Sequence, residues 1–262
     1  MRRFNLKKIA IVLGISGVVI WGGSVTFAKM IEKHNIKVNQ AIAQQKKEQE
    51  EAEAKKPIIG VNEEGKKYTY DAKKVADKLA KYDYSNDGKK VVFLTGSNIE
   101  NGGEKAKELI KEEFDKGHAI ANHGYSHDCK KLYPGRYLDI DAFKEDFKKN
   151  EELIKSVLGD NFSTRVLRCP GGYMSWKGME PLDKYLDENK LVSIDWNALN
   201  ADAEGPRKNA QQLADYAIKT AQGKEMVVML MHDTYGKEET VKALPTIIKY
   251  FKDNGYEFRT LA

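Results

Sequence analysis

The amino-acid sequence predicts an α/β fold of about seven parallel strands joined by helices. Two observations carry this. Short β-prone runs alternate with stretches whose apolar residues recur at helical spacing, and the helical stretches are long enough to cross between parallel strands. The 262 residues suffice for one such domain of about 200 residues plus appendages. At 41% hydrophobic the chain can build a core, and at 32% charged it must cover that core with ionic side chains.

The N-terminus is an appendage. Arg2, Arg3, Lys7 and Lys8 precede an uncharged run from Ile9 to Ala28, and Lys29 follows at once. A helix of that length spans a bilayer's hydrocarbon core, and the leading basic residues favour a cytoplasmic start. Residues 1–8 then read as a cytoplasmic N-terminus and 9–28 as a transmembrane signal-anchor. Thr26 and Ala28 also offer a small-residue cleavage site. Residues 29–58, rich in Lys, Glu, Gln and Ala, read as a charged stalk, helical or disordered. The expected location is the cell membrane, with the domain of residues 59–262 outside the cytoplasm.

Within that domain the first strand is Tyr68-Thr69-Tyr70, followed by Ala72, Val75, Ala76 and Leu79 at helical spacing. Val91 to Leu94 is a buried-strand run, and the helix through Ala106, Leu109, Ile110 and Phe114 stops at Gly117. Ala119-Ile120-Ala121 is the third strand. A helix with Phe143, Phe147 and Ile154 precedes Val166-Leu167. The last strands are Leu191 to Ile194, Met226 to Leu230 and Tyr256 to Phe258, with helices around 212–221 and 241–251. Either an open sheet or a barrel satisfies this alternation.

In barrels, functional groups gather at the C-terminal ends of the strands. The polar residues there are Asp71, Thr95 and Ser97, Asn122 and His123, Arg168, Asp195 and His232. His123 and His127 are four residues apart, which in a helical turn puts both imidazoles on one face, as a divalent metal requires. The best-placed third ligand is Asp71, and two imidazoles with one carboxylate leave a position open for water. His232 closes an apolar strand and is either a buried histidine with a structural hydrogen bond or a member of the same pocket. Arg168 leads Cys169-Pro170-Gly171-Gly172, a rigid turn, and is placed to hold a carboxylate. Asp195 closes another strand and is a helix cap or a catalytic carboxylate. The net charge of +5 comes from 44 basic and 39 acidic residues spread along the chain, and no basic stretch is interleaved with aromatics; a nucleic-acid partner is not expected.

The order of these motifs resembles the polysaccharide deacetylases of carbohydrate esterase family four, the NodB-homology domain. Residues 117–127, ending in His123-Gly124-Tyr125-Ser126-His127, resemble the family's metal motif, Arg168-Cys169-Pro170-Gly171-Gly172 its arginine-proline motif, and Leu230-Met231-His232-Asp233 its last motif. The resemblance covers about 59–262 and implies a distorted (β/α) barrel. It implies one divalent metal, expected to be zinc, on Asp71, His123 and His127, with His232 as general acid. The family's first motif normally carries two adjacent aspartates, whereas this chain reads Thr69-Tyr70-Asp71-Ala72. One carboxylate is left for two jobs, and Asp195 is the substitute base, oriented by Arg168. A streptococcal subgroup acting on the glucosamine that links wall rhamnose polysaccharide to peptidoglycan looks similar in its anchor and altered first motif.

The implied reaction is removal of N-acetyl groups from N-acetylglucosamine of a cell-wall glycan. Pro170, Gly171, Gly172, Tyr173 and Trp196 are the expected substrate-binding residues, and Tyr173, Trp176 and Trp196 the candidate stacking aromatics. The rival reading is a wall-glycan-binding protein that kept the fold and lost catalysis. Cys129 and Cys169 should rim the same pocket, either as a disulfide or as two free thiols.

Overall fold

The structure is a computed structural model that describes residues 24–54, 56–95 and 103–262. It divides into two units, residues 1–55 and 56–262. Within the first, Ser24–Ala54 is one helix, α1, so the stalk takes the helical of its two expected forms. The apolar run 9–28 lies almost wholly outside the described residues, and among the described residues no helix is long and apolar enough to cross a membrane.

The second unit contains ten short strands, all paired in parallel among the described residues. Its centre is a four-stranded sheet. There β3 (Val91–Thr95) lies between β8 (Met226–Leu230) and β9 (Glu257–Phe258), and β7 (Ala198–Leu199) flanks β8. Val91 pairs with Met226 and Thr95 with Leu230, so both long strands finish level. Their unbroken apolar sequences suit strands covered on both faces. Val91, Phe93, Met226 and Val228 pack with Val166, Val192 and Ile194, while Val92, Val227 and Met229 pack outward against α7 (Ala210–Ala221) and α8 (Glu238–Asp253).

The remaining strands pair as two-residue ladders. β1 (Ile58–Ile59) pairs with β4 (Phe162–Ser163), β2 (Thr69–Tyr70) with β10 (Thr260–Leu261), and β5 (Val166–Leu167) with β6 (Val192–Ser193). The expected strand 119–121 is reduced to one Ile120 N–H donated to Gly60 and a bridge between Asn122 and Leu167. Broken ladders of this kind are what a distorted barrel requires.

Helices cover the barrel where the apolar spacing placed them: α2 (Ala72–Ala80), α3 (Gly103–Asp115) and α5 (Ile140–Leu158), together with α7 and α8. Side-chain caps start α2, α5 and α7, since the first N–H groups of a helix lack internal partners. Asp71 accepts from Lys74, Asp139 from Ala142, and Asn209 forms a reciprocal capping box with Gln212. The sequence reading omitted the short α4 (Cys129–Leu132) and also α6 (Glu180–Asn189), whose Leu182 and Leu186 close the core around Phe143, Phe147 and Leu167.

Candidate active site

His123, His127, Arg168 and His232 line one pocket of about 90 Å³, together with Gly171, Gly172 and Trp196. His123, Arg168 and His232 each follow a strand or bridge at the same end of the barrel, and His127 lies on the loop that His123 opens. Asn122 bridges to Leu167, Arg168 follows β5, and His232 follows β8.

The two histidines stand on a loop, which corrects the expected helical turn. Gly124 takes φ +82° and His127 φ +50°, and this path brings the rings to 5.1 Å between centroids. His123 Nδ1 lies 2.7 Å from the Arg168 main-chain oxygen. A carbonyl only accepts, so Nδ1 carries the proton and Nε2 keeps its lone pair for a ligand. Burial, reinforced by the Arg168 charge, pushes the His123 pKa down to about 3, and burial lowers that of His127 as well. Both rings are therefore neutral near pH 7, the state a metal needs. The imidazole pair thus fits a divalent cation. No third His, Cys, Asp or Glu joins them in a metal-holding group among the described residues.

Asp71 does not meet the histidines. It caps α2 and lines a separate pocket with Arg165, which precedes β5, and Val192, which opens β6. Its strand therefore ends level with the start of β5 and β6, whereas Arg168 follows the finish of β5. The expected ligand is an exposed helix cap.

Asp195 is half-buried. Its carboxylate accepts the Tyr173 N–H at 3.0 Å and the Met174 N–H at 3.4 Å. Burial pushes its pKa up, and those two N–H groups and the Arg168 charge only partly oppose it. Arg168 itself is 8% exposed; burial brings its pKa down to about 10, with the Asp195 charge acting in the other direction. The arginine and aspartate predicted as partners thus share one electrostatic environment.

The group missed in the sequence is Asp202. Its Oδ1 lies 2.7 Å from His232 Nδ1, and its Oδ2 accepts the His232 N–H and the Thr240 hydroxyl, each at 2.9 Å. Lys237 Nζ donates to the Asp202 carbonyl at 2.5 Å. Burial alone would raise the Asp202 pKa, but the hydrogen bonds from His232 and Thr240 outweigh it and hold it at about 2. The carboxylate orients the imidazole and leaves Nε2 as its free nitrogen. Asp202 lies just beyond β7, so recognising Ala198-Leu199 as a strand would have brought it into the strand-end survey.

The arginine loop is tightly built. Gly171 and Gly172 have φ +77° and +84°, and a Cβ on Gly172 would lie 2.7 Å from the Trp196 ring. Trp196 lines the pocket. Trp176 instead stacks on Tyr133, with 4.1 Å between ring centroids, and donates Nε1–H to the Pro170 carbonyl. The Tyr173 hydroxyl donates to Asp183 at 2.6 Å. Of the three candidate aromatics, Trp176 and Tyr173 are occupied in holding the loop. Cys129 and Cys169 pack in the same apolar cluster as free thiols, and burial pushes the Cys169 pKa up to about 12.

Comparison with known proteins agrees with this architecture. Residues 63–180 match the polysaccharide deacetylase family. A peptidoglycan-N-acetylglucosamine deacetylase of Bacillus cereus is 30% identical over 182 residues, 66% of this chain and 59% of that protein. The chain thus spans about three-fifths of the length of this relative. A CE4 esterase of Streptococcus mutans superposes with a TM-score of 0.68 at 28% identity, over 79% of this chain and 99% of that one. A polysaccharide deacetylase from Bacillus cereus superposes with a TM-score of 0.52 at 27% identity, over 73% and 89%. Residues 63–180 thus match the polysaccharide deacetylase family, and in its motifs and barrel the chain is similar to the deacetylases and esterases of carbohydrate esterase family four.

Proposed function

We propose that this protein is a metal-dependent hydrolase that removes the N-acetyl group from N-acetylglucosamine residues of a bacterial cell-wall glycan, either peptidoglycan or a wall-polysaccharide linkage unit. The observation that carries this reading is the convergence of a neutral imidazole pair, a buried arginine and the His232–Asp202 dyad on one pocket. The peptidoglycan-N-acetylglucosamine deacetylase among its relatives supports the substrate class.

His123 and His127 would hold the metal, and imidazole ligands suit zinc. When bound, it would polarise the acetamide carbonyl and lower the pKa of water. Asp195, with its raised pKa, takes the proton from the attacking water. Arg168 keeps that carboxylate in place. His232 delivers its Nε2 proton to the amide nitrogen as the C–N bond breaks, because an amide nitrogen leaves only once protonated. Asp202 holds the ring for that transfer. Acetate and a free sugar amine result. Trp196 offers the sugar an apolar wall. The run 9–28 would tether the enzyme to the cell membrane, with the domain on the outer side.

A second reading, a glycan-binding protein without activity, is favoured by the position of Asp71 away from the histidine pair. One experiment separates them. The purified protein, loaded with zinc, is incubated with an N-acetylglucosamine oligomer and acetate is measured. Chelator-sensitive acetate release supports the enzyme; tight glycan binding without acetate supports the second reading.

A further inference from the structure

Helix α5 holds the histidine loop from behind through polar groups that the proposed chemistry does not use. Asp146 and Asn150 are 4% and 3% exposed. They share a face with Phe143, Phe147 and Ile154, a stripe that otherwise builds core. Both Asp146 oxygens face the loop: Oδ2 accepts the Tyr125 N–H at 2.8 Å and Oδ1 the Ser126 N–H at 3.1 Å. Asn150 Nδ2 donates to Asn122 Oδ1 at 2.9 Å, and that oxygen also accepts the Gly124 N–H at 3.0 Å. Asn122 Nδ2 in turn donates to the Phe147 carbonyl at 2.8 Å.

A carboxylate and two amides are expensive contents for a helix–loop interface, and apolar side chains would fill that space at lower desolvation cost. What the polar groups add is a specified path. Residues 122, 124, 125 and 126 are each bonded to α5 or to a side chain that α5 holds, while the intervening His123 is bonded to Arg168. The loop needs this guidance because it passes through left-handed Gly124 between its histidines and holds His127 itself at φ +50°. The fit is close: a Cβ on Gly124 would lie 2.7 Å from Asp146 Oδ2.

We propose that Asp146 is a positioning residue for the metal loop. By fixing the Tyr125 and Ser126 amides it sets the separation of His123 and His127 before any metal arrives. This rests on the reading of that pair as metal ligands.

The test is the Zn²⁺ dissociation constant of the full chain, measured by competition with a chromophoric chelator. Asp146→Asn preserves shape but turns one accepting oxygen into a donor aimed at N–H groups. It should weaken zinc by about 10–100-fold, as loss of supporting partners around metal ligands does. Ile154→Val, buried on the same helix but among Phe114 and Phe162, should lower stability and leave zinc affinity unchanged. Amide exchange on the metal-free wild type supplies a second measurement should Asp146→Asn not fold. Tyr125 and Ser126 should be protected without zinc, and exchange as fast as an open loop overturns the proposal. Equal zinc affinity in wild type and Asp146→Asn also overturns it, as does a matching loss in Ile154→Val. If the wild type itself takes up no zinc, the metal reading falls and the positioning role falls with it.

Discussion

His232 and Asp202 meet twice, through the ring nitrogen and through the histidine's own N–H. A single contact would orient the imidazole loosely; two bonds to one carboxylate fix both the ring and its backbone. Asp202→Asn should therefore lower kcat by about 10²-fold or more, the order expected when a general acid loses its orienting group. Zinc content and KM should stay near wild type, so steady-state kinetics with metal analysis checks the division of labour.

The same dyad predicts an acid response. The folded pKa of Asp202, about 2, lies below its ordinary value. A depressed carboxylate contributes stability that is fully present above the unfolded pKa and lost as pH falls through the folded one. The thermal midpoint should fall between about pH 4 and pH 2 more steeply in the wild type than in Asp202→Asn.

Asp71 now carries a different expectation from the one its sequence position suggested. As the N-cap of α2, its replacement by Ala should cost about 0.5–2 kcal/mol of stability. Zinc affinity should be unchanged. Loss of metal in Asp71→Ala would restore the ligand role.

For Asp195 the expected result is the reverse. Asp195→Asn should retain zinc and remove most acetate release, since the proposed base is separate from the imidazole pair. Because burial raises its pKa, the acid limb of the wild-type pH–rate profile should lie above the ordinary carboxylate range. A limb at an ordinary carboxylate pKa would point to another base.

His123→Ala and His127→Ala should each abolish both zinc retention and acetate release. Retention of zinc in either variant, measured after dialysis by atomic absorption, would place the metal elsewhere.

The amphipathic helices were legible because their burial is periodic, and the long strands because theirs is unbroken: Val91 to Phe93 and Met226 to Leu230 are buried throughout. The two-residue ladders were not, since pairs such as Ala198-Leu199 are too short to show any period. That omission concealed Asp202. His123, His127, Arg168 and His232 were found because they directly follow strands or carry a recognisable spacing. The placement of Asp71 was misjudged because a strand's end says nothing about its height in a sheared barrel. Asp146 and Asn150 were visible in principle, as polar residues on the apolar stripe 143, 146, 147, 150 and 154.

The bond between His123 and residue 168 has an evolutionary side. Its acceptor is a main-chain oxygen, present whatever side chain stands at 168. Replacing the arginine would remove a charge from the pocket yet leave the imidazole's tautomer where it is. Within this loop, then, the neutral Nδ1–H form of the proposed ligand His123 is inherited with the path of the backbone, and two descendants could diverge at position 168 without either losing it.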